Sequence, residues 1–143
     1  MELKLPKYDF KIKKGSAGKD VIYDEFRKKY VVLTPEEWVR QNFLRFLKSE
    51  KNYPASLMSV ERKVSVNNMI KRFDAVIYKN GKPVVLIEFK SPKVKIDQKV
   101  MDRISRYNLS LNVKYLIVSN GISHYCCSLE MESQSISFLK KIP

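Results

Sequence analysis

The sequence is short of the residues on which much enzyme chemistry rests. Its 143 positions hold one histidine and two cysteines. A single histidine, His124, leaves almost no raw material for a zinc site or a Ser-His-Asp triad. Cys126 and Cys127 are adjacent, and neighbours on a strand point to opposite faces, so they are expected as unpaired, reduced thiols of a cytoplasmic protein. Glycine-rich phosphate loops are missing too. The stretch Gly15–Asp20 resembles one, but the glycine required five residues before Gly18 is Lys13, and Asp20 stands where a Ser or Thr should ligate magnesium. It reads as a solvated turn between short strands. No run of 18 or more apolar residues occurs, which excludes a helical membrane span. The opening residues, MELKLPKYDFKIKK, lack the apolar stretch of a signal peptide.

Acid is also scarce relative to base. Against 15 Asp and Glu there are 28 Lys and Arg, a formal charge of +13. Such an excess suits a polyanion, because basic side chains neutralise phosphates and release their counterions. With 44% apolar residues the chain can bury one core, and its length fits one domain. Whatever chemistry it performs must come from carboxylates, lysines and hydroxyls.

Residues 1–33 read as an N-terminal extension with short strands, and residues 34–143 as the main domain. Thr34-Pro35-Glu36-Glu37 opens a helix with a cap, a first-position proline and a capping-box glutamate. Val39, Phe43, Phe46 and Leu47 then recur on one helical face, and the helix should run to about Glu50. Met58, Val60, Val64 and Val66 alternate with Ser59, Glu61, Lys63 and Ser65, which predicts a strand with the valines on one side. Ile70 to Tyr78 is a second strand, Asn80-Gly81 a hairpin turn, and Val84 to Lys90 a third, nearly all-apolar strand suited to the middle of a sheet. A helix from about Asp97 to Leu111 should bury Val100, Ile104, Tyr107 and Leu111. Strands near Val113–Val118 and His124–Leu129 follow, and the tail from Ser133 adds a strand or short helix. The fold class is α/β: a mixed sheet flanked by helices, in the order αβββαβ.

One constellation stands out. Glu88 and Lys90 are two apart on a strand and leave the same face, in a segment otherwise rich in Val, Leu and Ile. Buried charges cost several kcal/mol, roughly, unless paired or metal-bound. The hairpin brings Asp74 towards Glu88. Two carboxylates and the Phe89 carbonyl form a hard oxygen site suited to Mg²⁺ or Mn²⁺. An ion there would neutralise a phosphodiester and acidify a water, and Lys90 would orient that water or stabilise developing charge. The bland alternative is a Glu88–Lys90 ion pair at a strand end.

Arg72-Phe73-Asp74, followed by Ile87-Glu88-Phe89-Lys90-Ser91-Pro92, resembles the PD-(D/E)XK nuclease pattern. Val39-Arg40-Gln41, Tyr53-Pro54, Val60-Glu61, Lys71 to Asp74, Arg106-Tyr107-Asn108 and Ser119-Asn120-Gly121 are similar to the N-terminal nuclease-like domain of type I restriction enzyme R subunits. The resemblance runs from about Thr34 to Tyr125. It implies Mg²⁺-dependent DNA cleavage, with Asp74 and Glu88 as metal ligands and Lys90 as the catalytic lysine. Two positions depart from it: Phe73 replaces the motif proline, and Arg103 stands where the restriction subunits carry a glutamine before the helix tyrosine. Gln98 lies five residues further upstream, too far to take that place.

Several side chains carry two readings. Glu37 is either a further acid or only a helix cap. Glu61 either reaches the metal or makes a cross-strand salt bridge. Lys71, Arg72 and Arg106 either hold the DNA backbone or are solvated charges. Arg103 and Tyr107 are ancillary phosphate contacts, unless Tyr107 packs in the core. The resulting expectation is a freestanding metal-dependent endonuclease domain, with homodimers for a double-strand cut. Its rivals are a silent nucleic-acid-binding module and a subunit active only within a larger restriction or repair complex.

Overall fold

The computed structural model describes residues 2–66, 68–109, 111–140 and 142, the side chains of Val66 and Met69 excepted. Helix α1 (Pro35–Glu50) starts as its residue types require. Thr34 stays extended and its Oγ1 accepts the Glu37 N–H at 3.0 Å. Pro35 occupies a position where a missing N–H costs nothing. The other half of the capping box does not form. The Thr34 N–H goes to the Val32 carbonyl, and the Glu37 carboxylate is taken by arginines. Loss of the cap in Thr34→Ala is expected to lower stability by about 1 kcal/mol. Calorimetry should read this as a melting temperature lower by about 3 °C; an unchanged value would mean that packing alone sets the helix start.

Three strands precede the helix: β1 (Ile12–Lys14), β2 (Asp20–Asp24) and β3 (Lys29–Val32), an antiparallel sheet in that order. After α1 and a short 3-10 turn come β4 (Met58–Val66), β5 (Met69–Lys79) and β6 (Lys82–Phe89), an antiparallel meander. Asn80 and Gly81 both have positive φ, as the tight turn joining β5 to β6 demands. Helix α2 (Gln98–Leu109) crosses over to β7 (Tyr115–Ser119), which pairs parallel to β6. Strands β8 (His124–Glu130) and β9 (Ser135–Leu139) complete a six-stranded mixed sheet in sequence order. The tail is therefore a strand, with Lys141 and Pro143 outside the described residues.

The sheet separates two apolar clusters. Val39, Phe43, Leu44 and Leu47 of α1 pack on Ala75, Ile77, Val85, Ile87 and Ile117. Met101, Ile104 and Leu109 of α2 pack on Val76, Leu86, Leu116 and Val118. Each such large side chain contributes roughly 1.5–3 kcal/mol on burial, so packing rather than propensity holds the helices. Cys126 joins the first cluster and Cys127 the second, as alternation requires, and both are free and buried. Burial, with some help from Cys127, pushes the Cys126 thiol up to about 12, so it stays protonated at neutral pH.

Two expectations need correction. The buried side of α2 is Met101, Ile104, Ser105, Asn108 and Leu109, whereas Tyr107 is 60% exposed. Its polar members are satisfied where they lie: Ser105 Oγ is 3.4 Å from Cys127 Sγ, and Asn108 donates to the Ile104 carbonyl one turn back at 2.8 Å. Secondly, the apolar residues of β4 do not share a side. Met58 and Val60 pack with the α1 cluster, and Val64 with the α2 cluster; the place of Val66 falls outside the described side chains. Strand β5 makes the same exchange, with Phe73 on the α2 side and Ala75 on the α1 side. The exchange occurs at Glu61 and Asp74. Val60 pairs with Ala75 and Arg62 with Phe73, while the two acids between them form no ladder pair and Glu61 has φ +50°.

Candidate active site

Strands β5 and β6 separate where the carboxylates stand. Their ladder runs to Ala75 opposite Ile87 and stops. Beyond it, the Phe89 N–H donates to Asp74 Oδ2 at 2.6 Å, a side chain replacing the missing main-chain acceptor. Asp74 lies in a cleft of about 110 Å³ with Glu36, Arg40, Glu61 and Phe89. Burial raises its carboxyl above the usual aspartate range. The Phe89 N–H and the Arg40 charge oppose that rise, and the Glu88 and Glu36 charges add to it. The two motif carboxylates therefore feel one another through space.

Glu88 is not paired with Lys90. Its Oε1 accepts from Lys71 Nζ at 3.0 Å, and the same ammonium donates to Asn108 Oδ1 at 3.1 Å. Lys71 also sits 4.2 Å from the Tyr107 ring centre and 5.0 Å from that of Phe73. Tyr107 is thus part of a lysine cage rather than the core, and Lys71 is turned inward. Lys90 follows the end of β6, and its N–H donates to the Ser119 carbonyl at 2.9 Å, which extends the parallel pairing by one residue. The chain is half-buried there, and no carboxylate lies within ion-pair distance of the Lys90 ammonium among the described residues.

The remaining acids belong to a separate network. Glu37, 4% exposed, accepts from Arg27 at 2.7 Å, from Gln41 at 2.9 Å and from Arg40. Burial pushes its carboxyl up, but the hydrogen bonds from Arg40, Arg27 and Gln41 outweigh this and hold it below the usual range. Arg27 also bonds Asp24, which is 1% exposed. Glu61 bridges Arg72 at 3.2 Å, Arg27 at 3.4 Å and Arg40 at 3.7 Å. Arg40 joins this network to the Asp74 cleft. Arg72 is largely exposed beside Glu61, and Arg103 and Arg106 are exposed on α2.

Two roles escaped the sequence reading: Lys71 as the counter-ion of Glu88, and Arg40 as a cation facing Asp74. Lys71 lies three residues before Asp74, but its link to Asn108 depends on how α2 docks. Arg40 follows Glu36 and Glu37 by one helical turn, a spacing that does announce a shared face.

Among the described residues, no three His, Cys, Asp or Glu side chains converge on a point that could hold a metal ion. No described helix is long and apolar enough to cross a membrane. No curated protein matches the chain. A family model described as the type I restriction enzyme R protein N terminus matches residues 35–143, from α1 through the last strand, and leaves β1–β3 outside. The chain therefore belongs to the family of type I restriction enzyme R protein N termini.

Proposed function

We propose that the chain is a Mg²⁺-dependent DNA phosphodiesterase domain of the PD-(D/E)XK kind, with Asp74, Glu88 and the Phe89 carbonyl as metal ligands and Lys90 beside the attacking water. The carrying observation is the partnering of the lysines. Glu88 is satisfied by Lys71, and Lys90 keeps its ammonium clear of every described carboxylate. A glutamate–lysine pair placed only for stability would have used Lys90 itself.

The donor chemistry fits a small hard cation. Mg²⁺ is commonly held by one or two carboxylates, with water and substrate phosphate filling the rest of its octahedron, so two acids and a carbonyl suffice. Such an ion supplies charge neutralisation at the phosphate and a water of lowered pKa. The chain's own residues do the rest. Asp74 is kept in place by the Phe89 N–H. Arg40 faces the cleft as a cation for the scissile phosphate. Lys90 donates to the water or to the oxygen that gains charge, a contribution worth about 10²-fold or more. The formal charge of +13 supports a DNA backbone as partner. Family membership supports a restriction context and partner subunits.

The purified protein with Mg²⁺ or Mn²⁺ should nick or cut at least one of supercoiled, linear and branched DNA. Lys90→Ala should lose about 10²-fold or more of that activity while binding DNA as before. Undiminished cleavage in that variant removes Lys90 from the mechanism. A second reading, a binding module that does not cut, is favoured by the pairing of Glu88 with Lys71, an ammonium that Asn108 also holds in place. It requires DNA affinity that is steep in salt and indifferent to metal, with no heat of Mn²⁺ binding in calorimetry.

A further inference from the structure

The three-stranded sheet before α1 has an outer face of unusual make-up. Its register places Lys13, Val21 and Val32 in one cross-strand row, and Tyr23 directly opposite Tyr30 in the next, where the Tyr23 N–H bonds the Lys11 carbonyl. The opposite face carries Ile22, which is fully buried. The outer face therefore presents two tyrosines edge to face, with ring centres 5.3 Å apart, flanked by exposed Val32. Lys13 Nζ lies 4.1 Å from the Tyr30 ring centre and Lys11 Nζ 5.8 Å from that of Tyr23. Lys28 and Lys29, at the turn into β3, are exposed. None of these four lysines has an ion-pair partner among the described residues, whereas Lys14 on the other side pairs with Asp20.

Aromatic faces interleaved with uncompensated lysines match the chemistry of a single strand. Unpaired bases offer π-faces to stack on tyrosine, and successive phosphates offer charge to the lysines. A duplex keeps its bases inside and would use only the lysines. An exposed ammonium over a ring is held weakly, so a base can take its place on Tyr30 while Lys13 swings out to the adjacent phosphate. A protein partner would need acid to meet this rim, whereas the chain's formal charge of +13 complements a polyanion. We propose that the outer face of β1–β3 is a binding platform for single-stranded nucleic acid, separate from the Asp74–Glu88 site. The platform lies outside the residues that the family match covers, and it does not depend on cleavage.

The test is metal-free, so a failure of the nuclease reading leaves it untouched. Fluorescence anisotropy in EDTA compares an oligothymidylate of about 15 nucleotides, near the upper site size of one small platform, with a duplex of equal length. The single strand should bind more tightly. Tyr23→Ala with Tyr30→Ala should weaken it by about tenfold or more, a stacking-sized loss, while Tyr30→Phe retains affinity. Lys11→Gln with Lys13→Gln should flatten the salt dependence by about 1.4 in log–log slope, two phosphates' worth for a single strand. To guard against a misfolded variant, a bromodeoxyuridine oligonucleotide photocrosslinked to the unmodified protein should attach at Tyr30 or Tyr23. Crosslinks found only beyond residue 33, unchanged affinity in the folded double-tyrosine variant, or duplex bound as tightly as single strand would each overturn the proposal.

Discussion

Asp74→Asn should lower Mg²⁺-dependent cleavage by about 10³-fold or more, and at the same time make the metal-free protein melt higher. The first effect follows from the proposed ligand role. A bound divalent ion supplies several kcal/mol of transition-state stabilisation, and each ~1.4 kcal/mol is tenfold in rate. The second follows from position. Burial raises the Asp74 carboxyl above its value in the unfolded chain, with Glu88 and Glu36 adding to the rise and the Phe89 N–H and Arg40 only partly offsetting it. Above the unfolded pKa, the unfolded chain has released this proton while the folded protein still holds it. The group therefore weighs against folding as pH rises through that window, and its charge remains a burden at neutral pH. Asparagine removes the charge and still accepts the Phe89 N–H. The same shift acts on metal affinity, which should fall on acidification from a higher pH than an ordinary aspartate would give. Melting in EDTA, plasmid cleavage and Mn²⁺ titration at stepped pH check these points together. A lower melting temperature for Asp74→Asn would show the carboxylate to be net stabilising. Retained cleavage would remove it from the site.

Arg27→Ala carries the largest expected loss of stability, about 3–5 kcal/mol, the usual result of removing one partner from a buried ion pair. Arg27 bonds both Asp24 and Glu37, two acids almost wholly out of solvent, and lies 3.4 Å from Glu61. Without it, Asp24 loses its only ion-pair partner among the described residues, and Glu37 keeps Arg40 and Gln41. Lysine should restore only part of the loss, since one ammonium cannot reproduce a planar guanidinium fork. The pH signature is specific. Although burial pushes Glu37 up, its hydrogen bonds from Arg40, Arg27 and Gln41 leave it depressed. It therefore contributes stability above the unfolded glutamate pKa, and that contribution disappears as pH falls through the folded value. Urea titrations from neutral to acid pH should show a shallower decline in Arg27→Ala than in the parent. Near-parental stability at neutral pH would mean that the cluster is solvated and the network unimportant.

Much of the frame was legible because its signals are local. Thr34-Pro35, the Asn80-Gly81 turn and the apolar run of β6 each specify structure within a few residues, and all stand where expected. The hairpin expected to carry Asp74 towards Glu88 forms, with Asp74 held by the Phe89 N–H and Glu88 by Lys71. Less legible were features set by residues distant in sequence. The buried side of α2 includes Ser105 and Asn108 because Cys127 and Lys71 meet them there, which no helical hydrophobicity pattern announces. Glu37 satisfied a capping-box pattern, yet its carboxylate answers to Arg27 from the preceding segment. The segment before α1 read as a turn between short strands, and its tyrosines became a surface only once the register of β2 and β3 set them side by side.

The exchange of sides at Glu61 and Asp74 has a meaning for how such a site can arise. With those two residues struck out, β4 and β5 would alternate without interruption, with Met58, Val60, Val64, Phe73, Ala75, Val76 and Ile77 already on their present sides. Each strand thus holds one supernumerary residue, opposite the other's, and the sheet changes phase twice so that the two changes cancel. The core places no demand on what those positions contain. An acid there is free of the hydrophobic code that governs its neighbours, and the standing demand at Asp74 is for an acceptor of the Phe89 N–H.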